Sequence, residues 1–119
     1  MRYIFLPLFT LFVNNTIAFS QSRSEVDALF EEALLLIDKC SDSTMIIGQK
    51  IIEKSREINY SIGKIRGSIV QGVAYLDVNQ LDSAGSYLME AALTSRELQA
   101  DSFEEGLARN FMGSVFTRL

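Results

Sequence analysis

From Ser24 onward, apolar residues return at every third or fourth position. Ala28, Leu29, Ala33, Leu36 and Ile37 mark one stripe, Ile47, Ile51, Ile52 and Ile58 a second, and Ile65, Ile69, Val73 and Leu76 a third. That spacing follows the turn of an α-helix and predicts amphipathic helices throughout. Polar, turn-forming clusters break the pattern at Asp38 to Asp42, Asn59 to Gly63, Asp77 to Asp82 and near Ala100-Asp101. Asp42 and Asp82 each open an apolar-periodic run, where a carboxylate is expected to cap free backbone N–H groups. Helices separated by breaks this short predict stacked hairpins, an all-α fold.

Small residues stand among bulky ones between Gln71 and Leu93: Gly72, Ala84 and Ala91 sit beside Val73, Tyr75, Leu88 and Leu93. Glycine within a helix costs roughly 1 kcal/mol relative to alanine, so a close approach of another helix is expected to offset Gly72. Self-comparison shows a repeat. The segments beginning at Asp42 and Asp82, forty residues apart, both open with Asp-Ser and close with Ser-Arg-Glu plus Ile58 or Leu98. Gly67, Gly72 and Tyr75 echo as Ala108, Gly113 and Phe116 at an offset of forty-one, the extra residue falling around Ala100-Asp101. A fixed period of this size marks a solenoid.

These residues resemble the tetratricopeptide repeat. The small residue and the aromatic three later on the first helix are Gly72 and Tyr75. The alanine, bulky residue and alanine of the second helix are Ala84, Leu88 and Ala91, and Gly113 with Phe116 restarts the pattern. The likeness spans Ser24 to Leu119 and is strongest in the middle. It departs from the family in lacking the tryptophan, in carrying Arg96 where a proline ends the second helix, and in its longer period. The resemblance implies an α-solenoid of antiparallel helix hairpins, about two and a half repeats over residues 21–119. It also implies a concave face that takes a protein or peptide partner. That face would carry Arg66, Ile69, Val73 and Leu76 on one first helix and Leu107, Asn110, Ser114 and Thr117 on the next. Asn110 occupies the position from which the family's asparagine bonds peptide backbone, while Ile69 occupies it one repeat earlier.

Charge and composition narrow the function. The 119 residues carry a net charge of −4, which argues against a binder of nucleic-acid phosphates, since such a binder needs a basic stripe. Histidine is absent, and with it the commonest ligand and acid–base group of metal sites and enzymes. No catalytic residue, metal site or cofactor is therefore expected. Serines at Ser20, Ser22 and Ser24 have no histidine to activate them. Glu31-Glu32 and Glu104-Glu105 read as solvated charge, because helix neighbours point apart. Tyr75, Tyr87 and Phe116, at helical spacing, read as core. Cys40, the only cysteine, excludes an internal disulfide and leaves a small helix-end residue, an intermolecular bridge or a reactive thiol as readings.

The first twenty residues read as an address. Arg2 precedes an apolar run from Tyr3 to Val13, a polar break at Asn14-Asn15-Thr16, and small residues at Ala18 and Ser20. This is the pattern of a cleaved secretory signal, with cleavage after Ser20; the run is shorter than the ~20 residues that cross a bilayer. Loss of Arg2 leaves 10 basic against 15 acidic residues. The expected location is exported, on the periplasmic or extracytoplasmic side of a bacterial cell. The long repeat form is similar to exported sensor regions that precede a membrane helix and a histidine kinase or DNA-binding output domain. Leu119 falls inside the first helix of a third repeat, leaving Phe111, Val115 and Phe116 without a covering helix. The expectation is therefore an N-terminal sensing or scaffold part of a signalling protein, or an exported adaptor that self-associates through its open end.

Overall fold

A computed structural model describes residues 21–98 and 102–119, which form five α-helices and, among the described residues, no strand. They are α1 (21–36), α2 (Ser41–Glu57), α3 (Ser61–Asp77), α4 (Leu81–Glu97) and α5 (Ser102–Arg118). Residues 1–20, read above as a secretory signal, and Ala100-Asp101, read as a turn, lie outside the described residues.

The helix lengths account for the sequence period. Helices α2 to α5 are each 17 residues long, and three residues separate α2 from α3 and α3 from α4. Two such units span forty residues, so α2 and α4 begin forty apart. Four residues lie between α4 and α5, so α3 and α5 begin forty-one apart. The turns close by left-handed residues, Asp38, Asn59 and Asn79, whose φ values are 67°, 53° and 61°. Asparagine and aspartate tolerate that region best among non-glycine residues. At Asn59 the backbone N–H bonds Arg56 O and the next N–H, of Tyr60, bonds Ser55 O. Asn79 and Gln80 repeat this with Leu76 O and Tyr75 O. Both are the paired terminal bonds that satisfy the last carbonyls of a helix.

The starts of the helices depart from the sequence reading. The N-cap positions are Cys40, Tyr60 and Gln80, and none makes a side-chain cap bond. Asp42 and Asp82 lie two residues past these caps, within the first turns of α2 and α4. There they act through charge on the positive helix end instead of capping.

Adjacent helices pack in order, and α3 is central. One core joins Val26, Phe30 and Ala33 of α1 with Ile47 and Ile51 of α2 and Val70 of α3. The other joins Ile65, Ile69, Val73 and Leu76 of α3 with Ala84, Leu88, Ala91 and Ala92 of α4 and Ala108 and Val115 of α5. Consecutive residues Ile69 and Val70 thus point into different cores, which explains why α3 is apolar on several sides. Its glycines serve both neighbours. A Cβ on Gly67 would lie 2.6 Å from Ile52 Cγ1 of α2, and one on Gly72 would lie 2.6 Å from Leu88 Cγ of α4.

Candidate functional site

Three helices meet at one arginine. Arg66 of α3 donates from Nη1 to Asp27 Oδ1 of α1 at 2.8 Å, and from Nε and Nη2 to Glu104 Oε1 of α5 at 3.1 and 2.9 Å. Its guanidinium also lies 5.1 Å from the centroid of the Phe30 ring. The planar fork of arginine suits this combination of forked donation and ring stacking. Tyr60 adds a hydroxyl bond to the same Asp27 oxygen at 2.9 Å; burial first, and that bond second, push its phenol up. The cluster ties α1, α3 and α5 together along one face.

This placement changes the reading of the expected peptide groove. Arg66 is committed to two carboxylates, and Ile69, Val73 and Leu76 are buried against α4 and α5. No partner reaches those three unless α3 and α5 separate. On α5, Leu107 and Ser114 are half-buried, and Asn110 and Thr117 are exposed. The structure therefore does not bring the eight residues together as an open groove. Glu104 was legible only in part: it falls on the stripe of Ala108, Phe111 and Val115, four, seven and eleven residues on. That register carries its carboxylate inward, to 2% exposure, so it is not solvated charge. Glu105, its neighbour, does face outward, and Arg109 first, then burial opposing and Arg96 assisting, holds its carboxyl below the ordinary range. Glu31 and Glu32 are exposed.

Of the residues assigned to repeat packing, Ala84, Leu88 and Ala91 are buried and Gly72 takes Leu88. Tyr75 stacks on Tyr87, with ring centroids 5.6 Å apart and planes 12° from parallel. Gly113 and Phe116 differ. A Cβ on Gly113 would meet nothing within 4 Å, and Phe116 is 62% exposed, so it is not core. Phe116 and Leu119, with Leu81, Met89, Met112 and Val115, border a recess of about 170 Å³ between α4 and α5. The face of α5 that repeats the Gly72 face of α3 is thus bare: it carries the exposed Phe116, while the counterparts of Ile69, Val73 and Leu76 on it are the polar Asn110, Ser114 and Thr117. Arg118 Nη1 secures the end of α5 by donating to Leu76 O at 2.7 Å.

The remaining chemistry is sparse. Cys40 is exposed, and its Sγ lies 3.2 Å from Ser43 Oγ; bonds from Ser43 hold the thiol below its ordinary value. Among the described residues, no cluster of three or more His, Cys, Asp or Glu side chains is placed to hold a metal ion, and no helix is long and apolar enough to cross a membrane. No protein family, curated protein or solved structure matches this chain.

Proposed function

We propose that this chain is a non-enzymatic protein–protein interaction module of the tetratricopeptide type, an α-solenoid that forms the exported N-terminal sensing or scaffold part of a bacterial signalling protein. The observation that carries the reading is the bare face of α5. Gly113 and Phe116 repeat Gly72 and Tyr75, which on α3 are covered by Leu88 and Tyr87 of α4. A further helix packed on α5 in the same way would cover Phe116 as Tyr87 covers Tyr75. Stacked repeats need neighbours to cover such faces.

The same face supports a second reading, an exported adaptor that self-associates through α5. The intact mass and sedimentation of the native protein from its own cells separate the two. A mass well above 13.3 kDa supports the larger signalling protein. A mass reduced by residues 1–20, sedimenting as an oligomer, supports the adaptor. A processed chain that sediments as a lone monomer contradicts both.

A further inference from the structure

Among the described residues the backbones of α2 and α4 do not approach each other closely; both pack on α3. Between them runs a groove of about 600 Å³, with Met45 and Ile46 of α2 on one side, Tyr87 of α4 on the other, and Gln71 and Tyr75 of α3 at its floor. Tyr75 lies nine residues beyond Arg66, roughly half a turn around the helix. The groove is therefore on the opposite side of α3 from the arginine cluster.

A chain of amides fixes the chemistry of the floor. Glu53 can only accept, so Gln49 must present Nε2 to it, at 3.1 Å. Gln49 Oε1 then accepts from Gln71 Nε2 at 3.3 Å. This leaves Gln71 Oε1 as a buried acceptor that no donor of the protein reaches, on a residue 4% exposed. Such an acceptor is costly to leave unmet.

The internal repeat shows that this polar pair is a choice. Shifted by one repeat, Gln49 becomes Met89 and Gln71 becomes Met112, and both methionines line the recess between α4 and α5. The same position therefore accepts an apolar pair of similar length. Charge then selects the ligand. Asp42 borders the groove, and the adjoining recess beyond Tyr87 sets Asp82 and Glu90 against a single Arg56.

We infer that the α2–α3–α4 groove binds an arginine side chain of a partner peptide, the Gln71 amide turning toward the groove so that the guanidinium donates to Oε1, and the stem lying between Met45–Ile46 and the stacked Tyr75–Tyr87 rings. Arginine carries N–H donors on a weakly hydrated plane that stacks on aromatic rings, and its charge complements Asp42. The inference rests on the interaction-module reading. A protein that assembles through α5 yet ignores arginine peptides would refute only the inference.

The test titrates the full chain with acetyl-Gly-Arg-Gly-amide, followed by NMR at the glutamine side-chain amides and tyrosine rings. Citrulline and norleucine peptides serve as neutral-donor and apolar controls. The expected result is saturable shifts at Gln71, Tyr75 and Tyr87 with arginine, about tenfold weaker binding of citrulline, as loss of one charge-assisted hydrogen bond implies, and no saturation with norleucine. The double variant Gln49→Met/Gln71→Met copies the methionine pair already present, so it should keep the fold and lose the arginine response. Absence of saturable shifts, equal binding of norleucine, or an unchanged response in the folded double variant would each overturn the inference.

Discussion

Gly72 of α3 faces Leu88 of α4 so closely that a Cβ on the glycine would lie 2.6 Å from Leu88 Cγ and 3.3 Å from the Ala84 carbonyl oxygen. The helices meet at backbone distance there, and the missing side chain is what allows it. Because Leu88 is fully buried, it has no free space to retreat into.

Gly72→Ala should therefore destabilise the chain, despite alanine's better helix propensity, by about 1–3 kcal/mol of overpacking. Gly113→Ala, at the same repeat position but with open space around it, should stabilise α5 by about 0.5–1 kcal/mol. Urea unfolding followed by circular dichroism reads both. Equal effects of the two substitutions would refute the difference between the covered and bare faces.

At the α2–α3 and α4–α5 junctions the two repeats fill equivalent space with different residues. Gly67 takes Ile51 and Ile52, whereas Ala108 shares its core with Ala91 and Ala92. Volume removed from one helix appears on the other. Gly67→Ala alone should destabilise, and adding Ile52→Ala should cost less than the sum of the two single changes. Strict additivity in the double-mutant cycle would show that the two sites do not compete for space.

Removing Arg66 leaves Glu104 as an uncompensated charge beneath the surface, its side chain only 3% exposed. Arg66→Ala is expected to cost about 3–5 kcal/mol, the range for breaking a buried pair. Arg66→Met combined with Glu104→Leu should recover most of that loss, since apolar replacement removes the stranded charge. A thermal melt of each variant checks this; a double variant no better than Arg66→Ala would assign the cost to lost packing on Phe30.

Acid dependence should show at Asp77. Burial, and next the neighbouring Asp38, push its carboxyl above the ordinary value of 3.8, so the folded chain holds this proton more tightly than the unfolded chain. Between 3.8 and the raised folded value, stability falls as pH rises, and the full penalty persists above that window. Asp77→Asn should thus raise the urea midpoint at pH 7, with the gain shrinking towards pH 4. A gain independent of pH would place the effect elsewhere.

The helices, their period and the extra residue between α4 and α5 were legible because hydrophobic spacing and repeat echoes report local geometry directly. The close approach at Gly72 was legible for the same reason, as a small residue among large ones. What escaped was long-range pairing. Nothing local to Arg66 reveals that Asp27 and Glu104, thirty-nine residues before it and thirty-eight after, converge on it, so a paired arginine read as a groove residue. Asp42 and Asp82 read as caps because a carboxylate inside the first turn of a helix and one at its cap look alike in sequence. Phe116 read as core because periodicity identifies an apolar face but not what covers it.

The central claim is that the bare face of α5 is an interface, and the accessibility of position 116 in the native protein tests it most directly. In a Cys40→Ser background, Phe116→Cys is labelled with a maleimide in the native protein recovered from its own cells. A cysteine replacing the exposed Lys50 of α2 serves as reference. The account predicts that the cysteine at 116 reacts far more slowly than the one at 50 until the protein is unfolded, when the two become equal. Equal labelling in the native state would mean that nothing covers this face, and the interaction-module reading of α5 would fall.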